Sequence, residues 1–255
     1  MSFRYDLTAV EILKLLGYTE PVGKDGLLQI EREKNLKLPP ALFEFRSLAA
    51  DSPLFETADI WTKRRDFCWF SYDNIQEWID GDKEYWEKDP QKYADNEYYQ
   101  LYKLPKEKWG SYVPNYLQIG SDYGAGISKF GICLEEIEQV DPPVYILIEG
   151  YSITEWNMLD SHLSAFLMRS VCDVLSCGEY DTAAGVLEKM GWVVNEAYPE
   201  DFPALDMDTL LKQRSEYGAD AVCGCAYDEE KHLLIVAKID RGDSRNSRIM
   251  TYRKQ

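Results

Sequence analysis

Histidine is almost absent from this 255-residue chain, which contains only His162 and His232. Cysteine is scarce as well, and the closely spaced Cys223 and Cys225 have no second pair at ligand spacing. A closed zinc site needs four such ligands, so we expect no metal and no cofactor. Without a sign of export, the cysteines are interpreted as reduced, mostly buried thiols. The six are Cys68, Cys133, Cys172, Cys177, Cys223 and Cys225.

Long apolar runs are also missing. The first ten residues include Arg4 and Asp6, which does not fit the apolar core of a signal peptide, and no uninterrupted apolar run approaches membrane-spanning length. We therefore expect a cytoplasmic protein with no membrane partner.

Catalytic motifs are not recognisable either. The loop with Gly120, Gly124 and Gly126 has neither the Gly-x-Gly-x-x-Gly spacing nor a following Lys-Ser/Thr pair. His162 is predicted to lie in a helix beside Ser161, where residues one or two apart do not face each other. We expect no catalytic residue and no enzyme activity; an enzyme in the C-terminal segment is kept as a third alternative.

Basic residues are nearly missing from one long stretch. Phe130 to Leu211 contains sixteen Asp and Glu but only Arg169 and Lys189, a net charge of −14 within a chain of net charge −17. Such a surface repels nucleic acid and attracts basic proteins. We expect a basic protein partner and no nucleic acid, although acidity for solubility alone is an open alternative.

The hydrophobic patterns predict an α+β fold. Thr8 and Glu11 have capping-box spacing, and the amphipathic helix that follows should end at Gly17. Further helices are predicted at 26–35, 39–50 and 157–175, the last with an apolar stripe, and a short helix is capped by Asp73. Strands are predicted at 67–72, 116–119, 127–134 and 144–148.

A domain boundary is predicted at 176–179, which divides the chain into a domain at 1–177 and a separately cored α+β module at 178–255. The module should contain helices at 181–190 and 208–217. Its predicted strands are 192–195, 221–227, 233–239 and 248–253, with a hairpin turn at Asp228 to Lys231.

An aromatic insertion is predicted at 81–115. Ten Tyr and Trp lie between Tyr85 and Tyr123, interleaved with charges. Tyr and Trp often anchor protein interfaces, but the same rings could form a local core under the insertion. The predicted partner-binding residues lie beside it and near the following strand: Asp122, Tyr123, Glu149, Tyr151, Glu155 and Trp156.

Two short sequence segments resemble those of a known family. Leu38-Pro39-Pro40 opens a helix, and Leu117-Gln118-Ile119-Gly120 begins a strand followed by a glycine-rich turn. In this order they resemble the SUKH superfamily, the Smi/Knr-like domains, across roughly Lys24 to Cys177. One departure is Ala49 to Pro53, which stands where the family often has an Asn-Gly-Gly-like turn. The matching positions are Ile30, Glu33, Leu38, Pro39, Leu42, Phe45, Leu117, Ile119, Gly120, Gly126, Val144 to Ile148, Leu163, Phe166 and Leu167.

The resemblance implies a fold and a function. SUKH domains combine an antiparallel sheet with helices, and most act as bacterial immunity proteins that bind and neutralise a cognate toxin, often a nuclease. An acidic inhibitor suits a basic nuclease, because it can occupy the site that phosphates would use. The alternative is a regulatory or scaffolding SUKH-like protein with no toxin partner.

Overall fold

The computed structural model describes residues 3–49, 52–56, 69–70, 72–111, 115–122, 128–148, 155–176, 180–198, 201–210, 221–240 and 248–254. The helices are α1 (Ala9–Leu16), α2 (Lys24–Lys34), α3 (Pro40–Ala49), α4 (Pro53–Glu56), α5 (Tyr72–Lys88), α6 (Glu97–Tyr102), α7 (Leu163–Ser176), α8 (Tyr180–Lys189) and α9 (Met207–Leu210), with a 3₁₀ turn at Lys106–Ser111. The strands are β1 (Phe3–Arg4), β2 (Trp69–Phe70), β3 (Tyr116–Asp122), β4 (Ser128–Cys133), β5 (Val144–Ile148), β6 (Asn157–Asp160), β7 (Trp192–Ala197), β8 (Ala221–Asp228), β9 (Leu233–Asp240) and β10 (Arg248–Lys254).

The described strands form two five-stranded antiparallel sheets. The first sheet runs β2-β3-β4-β5-β6 in chain order, and the second runs β1-β8-β9-β10-β7. Helices pack between the sheets, since α7 contacts β6 of the first and β8, β9 and β10 of the second. The prediction of an α+β fold is therefore confirmed.

Local signals at the N-terminus produce the predicted first helix. Thr8 caps α1 through a complete capping box with Glu11, and the helix ends at Gly17 in the left-handed region. Five of the eight residues of α1 are buried in the core, with Ile12, Leu13 and Leu16 fully buried. The predicted helices at 26–35 and 39–50 are found at 24–34 and 40–49.

The helix opened by Leu38 and Pro39 meets the strand that contains Ile119. Leu42 and Phe45 of α3 belong to the same buried cluster as Leu117 and Ile119 of β3. Arg46 of α3 donates from Nη2 to the carbonyl oxygen of Ile119, at 2.7 Å. This bond lies where the pairing of β3 with β4 shifts register, between Gln118 and Gly120. Gly120 therefore lies within a bulged strand and not in the predicted turn; residues 123–127 lie outside the described part.

The segment before α7 differs from the prediction. A helix was predicted from Asn157, but Asn157–Asp160 forms the edge strand β6, and α7 begins only at Leu163. Leu159 and Leu163 are both buried, so the apolar spacing alone could not distinguish the two conformations. Asp141 fixes the start of α7, accepting hydrogen bonds from the backbone N–H and the hydroxyl of Ser164.

The segment after residue 178 shares its core with the rest of the chain, contrary to the prediction of a separate core. Leu234, Val236 and Met250 lie in the same buried cluster as α1, α3 and the first sheet. The N-terminal strand β1 pairs with β8, and Trp192 donates from Nε1 to the carbonyl oxygen of Leu16 at 3.3 Å. The predicted strands are confirmed as β7, β8, β9 and β10, and β10 pairs with β9 and β7.

Other predicted elements are described in part. Of the strand predicted at 67–72, Trp69–Phe70 is described as β2, and α5 begins at Tyr72, so that Asp73 lies inside the helix. The same helix continues across residue 81, where the insertion was predicted to begin. Of the helix predicted at 208–217, the structure describes Met207–Leu210, and residues 211–217 lie outside the described part. Among the described residues, no helix combines the length and apolarity needed to span a membrane.

Candidate functional site

The first sheet has a second face, directed away from the shared core, that carries a row of aromatic side chains. Along β5, Val144 and Ile146 belong to the shared core, so the alternation of strand side chains turns Tyr145 to the opposite face. Tyr145 is in register with Gly131 of β4 and with Met158 of the edge strand β6. Met158, which is 50% exposed, continues this face at the edge of the sheet, beside the half-buried Tyr145.

Trp156 lies across this face in a position that a glycine makes available. Its indole ring stacks on Tyr116, with centroids 4.2 Å apart and an angle of 12° between the planes. A Cβ on Gly131 would lie 2.9 Å from Trp156 Cζ3, closer than real Cβ contacts, so glycine permits the ring to lie against β4. Tyr145 packs edge-on against Tyr116 at 5.3 Å. An aromatic pair of this kind contributes about 0.5 to 1.5 kcal/mol beyond its burial.

Carboxylates surround the aromatic row. Glu136 accepts a hydrogen bond from the Tyr145 hydroxyl at 2.9 Å, and Glu135 and Glu155 are exposed. We call these groups together the edge patch: Tyr116, Tyr145, Trp156, Met158, Glu135, Glu136 and Glu155. Burial, followed by the hydrogen bond to Glu136, raises the pKa of Tyr145 to about 12. Burial also raises the pKa of Tyr116 far above its ordinary value, so both phenols are neutral at pH 7 and the carboxylates supply the patch's charge.

The aromatic insertion is mainly a local core on the same face of the sheet. Trp86 is 3% exposed and packs against Tyr99 and Tyr102. The same buried cluster contains Ile79, Leu101, Leu147 and Tyr116 of the edge patch. Of the two interpretations left open by the sequence, these rings favour the structural one. Among the described rings of the insertion, Tyr85 is the exposed one, at 60%.

The predicted partner-binding residues have different outcomes. Glu155 is exposed, and Trp156 is half-buried in the edge patch. Asp122 is the last residue of β3, and its side chain is outside the described part. Tyr123, Glu149 and Tyr151 also lie outside the described residues, so the prediction for them stays untested.

Sequence reasoning missed part of the edge patch. Tyr145, Glu135, Glu136 and Met158 were not singled out, although Val-Tyr-Ile at 144–146 has the alternation that turns Tyr145 away from the core. Glu136 offered no comparable signal, because its bond to Tyr145 spans a turn that the sequence pattern does not define.

Buried charges hold the edge strand of the patch in place. Asp160, the last residue of β6, is fully buried and lies 3.2 Å from Arg169 Nη2 of α7. The guanidinium of Arg169 also packs over the Phe166 ring, at 5.4 Å. The ion pair therefore connects β6 to the helix that both sheets contact.

The other candidate groups do not assemble a catalytic centre in the described part of the chain. Ser161 and His162 precede α7 instead of lying within it, so their side chains do meet, with Oγ 2.8 Å from Nδ1. No carboxylate hydrogen-bonds to the His162 ring among the described residues, and such an orienting group is the third member of a nucleophilic triad. The other histidine, His232, has its Nδ1 3.2 Å from the Tyr227 hydroxyl.

Within the described ranges, no group of three or more His, Cys, Asp or Glu side chains is arranged to hold a metal ion. No known protein family, curated protein or solved structure matches this chain.

Proposed function

We propose that this chain is a cytoplasmic protein-binding module that captures a basic protein at the edge patch. The observation that carries the proposal is the pair of half-buried rings of Tyr145 and Trp156 beside the exposed Met158 of β6, together with the carboxylates of Glu135, Glu136 and Glu155. Half-buried, preorganised aromatic side chains act as interface anchors because they lose little conformational freedom on binding. The carboxylates around them would attract cationic side chains and orient the approaching partner.

The resemblance to SUKH domains sharpens the proposal to an immunity protein that neutralises a cognate toxin, with a basic nuclease domain as the expected partner. The contact between the Leu38-Pro39 helix and the Ile119-Gly120 strand supports the proposed kinship with SUKH domains, because the resemblance rests on these two segments. In this proposal the chain acts by occlusion and catalyses nothing itself.

The first experiment uses gene neighbourhood to select the partner. The basic C-terminal domain of a toxin encoded beside this chain would be coexpressed with it, purified as a complex and tested for loss of toxin activity. Copurification with inhibition supports the immunity function. A neighbourhood without a toxin gene, together with capture of a non-toxic partner, would instead support the regulatory alternative.

The second experiment tests the surface. We expect the double charge reversal Glu135→Lys/Glu155→Lys to slow association at least tenfold, since both carboxylates are exposed at the edge patch. The matched control is Glu20→Lys/Asp25→Lys, which changes the net charge equally at two exposed residues, Glu20 before α2 and Asp25 in its first turn. If both variants slowed association equally, the effect would come from the overall net charge, and the edge patch would not be the binding surface.

A third variant tests the aromatic anchor. In Gly131→Ala the new methyl group would displace Trp156, because the Cβ position is 2.9 Å from its ring. We expect faster dissociation from the partner, with little change in association rate, and a shifted tryptophan emission spectrum. A shifted spectrum with unchanged dissociation would mean that Trp156 does not contact the partner.

A further inference from the structure

Three thiols meet in the core where α7 packs against β8. Cys172 of α7 has its Sγ 3.6 Å from Sγ of Cys225. Cys223, two residues earlier on the same face of β8, also interacts with Cys172. All three are buried, with 0%, 5% and 0% of Cys172, Cys223 and Cys225 exposed. The proposed binding function uses none of them.

We propose that Cys172 and Cys225 form an oxidation site, at which a peroxide converts the two thiols into a disulfide that joins α7 to β8. The two sulfur atoms must approach by about 1.5 Å to reach the S–S length of about 2.05 Å, a displacement that a side-chain rotation covers. Cys172 is the common partner of the cluster, and Cys225 is the thiol whose sulfur lies at 3.6 Å from it.

The reaction needs no group besides the two thiols and the peroxide. The deprotonated sulfur of one cysteine attacks a peroxide oxygen, the O–O bond breaks, and the hydroxide released takes up a proton as water, leaving a sulfenic acid. The second sulfur then attacks the sulfenic sulfur, the S–O bond breaks, and a second water leaves. Two thiols lose two electrons and two protons, and one peroxide is reduced to two waters.

The surroundings make the site slow to react without preventing the reaction. The hydrogen bond to Cys172 and then burial raise the pKa of Cys223, and the pKa of Cys172 is raised as well despite the opposing effect of its bond to Cys223. Asp173, held by Lys238 at 2.8 Å, adds negative charge beside these thiols. Oxidation therefore proceeds through local opening of the α7–β8 contact, and the disulfide would close that contact afterwards.

The test treats the purified full-length protein with hydrogen peroxide, blocks remaining thiols by alkylation, and maps unreduced peptides by mass spectrometry. We expect a crosslinked pair of peptides containing Cys172 and Cys225, lighter by two hydrogen atoms and separated by dithiothreitol. Partly exposed Cys133 is an internal control that should be modified sooner and stay uncrosslinked. The oxidised protein should melt on the order of 5 to 10 °C higher, because the crosslink closes a long loop.

Variants identify the pairing. In a Cys68→Ser/Cys133→Ser/Cys177→Ser background, an intramolecular disulfide must use the three buried thiols. Adding Cys223→Ser should leave both the crosslink and the melting shift, whereas adding Cys225→Ala should abolish both. Peptide mapping of the unmutated protein answers the question even if a variant does not fold. A reduced Cys172 after prolonged treatment, or a main product that joins Cys223 to either neighbour, would overturn the proposal.

Discussion

Gly224 shows how a single missing side chain determines packing at the residue scale. A Cβ at this position would lie 1.9 Å from the backbone carbonyl oxygen of Leu210, so α9 rests directly on β8. Leu210 is fully buried there among Ala226, Ile235 and Ala237. We expect Gly224→Ala to lower the free energy of unfolding by about 1 to 3 kcal/mol, because backbone must move to admit the methyl group. Chemical denaturation measures this change.

The control for that substitution is Gly185→Ala. Gly185 lies inside α8, and nothing would come within 4 Å of an added Cβ. Alanine is the better helix former, so this variant should raise the free energy of unfolding by about 0.5 to 1 kcal/mol. If both substitutions changed stability in the same direction, the contact between Leu210 and Gly224 would not be the cause of the first effect.

The raised pKa of Tyr145 leads us to expect a loss of folding stability at high pH. Its pKa is about 12 in the folded chain, against an ordinary value of 10.0. Between pH 10 and 12 the unfolded chain has lost this proton while the folded chain retains it, so stability falls as pH rises. The contribution lost in this window is about 1 to 2 kcal/mol after allowance for partial exposure.

The comparison that isolates Tyr145 is Tyr145→Phe, measured by denaturation at several values from pH 8 to 12. The variant should be less stable at pH 8, having lost the bond to Glu136, and should then lose less stability per pH unit than the unmutated protein. Tyr116 and Tyr252, whose pKa values are also raised by burial, contribute equally to both proteins. Parallel loss of stability in the two proteins would mean that Tyr145 ionises normally in the fold.

Whether a contact between two residues can be predicted from the sequence depends on how far apart those residues lie along the chain. Thr8 and Glu11 are three residues apart, so their capping box could be predicted from spacing. The bond from Arg46 to Ile119 spans 73 residues, and the stacking of Trp156 on Tyr116 spans 40, so neither has a local signature. The edge patch could therefore be predicted only in part, through Glu155 and Trp156.

At the scale of elements, the spacing of apolar residues and the residue types found in turns predict most of the helices and strands. The strands β8 and β9 and the turn between them follow the expected pattern, and Asp228 accepts hydrogen bonds from the N–H groups of Glu230 and Lys231. Edge strands are harder to predict from the sequence, because they are short: β1 has only two residues and β6 has only four. Such strands exist through pairing with a distant partner, which a single sequence does not display.

The helix α7 determines whether residues 1–178 can fold without the rest of the chain, because it packs against both sheets. On one side Phe166 packs against Phe130 of β4, with ring centroids 5.3 Å apart. On the other side Tyr252 of β10 donates to the carbonyl oxygen of Leu175. We expect a fragment of residues 1–178 to aggregate without a cooperative thermal transition, because it would expose the face of α7 that the second sheet covers. Calorimetry and light scattering on the purified fragment test this.

Supplying residues 179–255 as a separate chain provides the control. Coexpression of the two fragments should restore a soluble complex with a cooperative transition, since the lost contacts are noncovalent. A fragment of residues 1–178 that melts cooperatively by itself would instead support the domain boundary that the sequence predicts.

At the scale of the whole molecule, charge distribution leads to a kinetic prediction. The acidic stretch from Phe130 to Leu211 contains Glu135, Glu136 and Glu155, so the carboxylates of the edge patch belong to the most acidic part of the sequence. Attraction of the proposed basic partner by these carboxylates should weaken as the screening length falls from about 10 Å at 0.1 M salt to about 3 Å at 1 M. We expect the association rate constant to fall at least tenfold between these concentrations, while the dissociation rate constant changes much less.

Stopped-flow or surface-based kinetics with the copurified toxin domain would measure both rate constants across this salt range. The Glu135→Lys/Glu155→Lys variant should show a flatter dependence of association on salt than the Glu20→Lys/Asp25→Lys variant, although both have the same net charge. That difference separates charges at the edge patch from the charge of the whole molecule, because charges farther from the partner than the screening length contribute little at either salt concentration. Identical salt slopes would place the interface on another surface, and the exposed Tyr85 of the aromatic insertion would then be the next position to substitute.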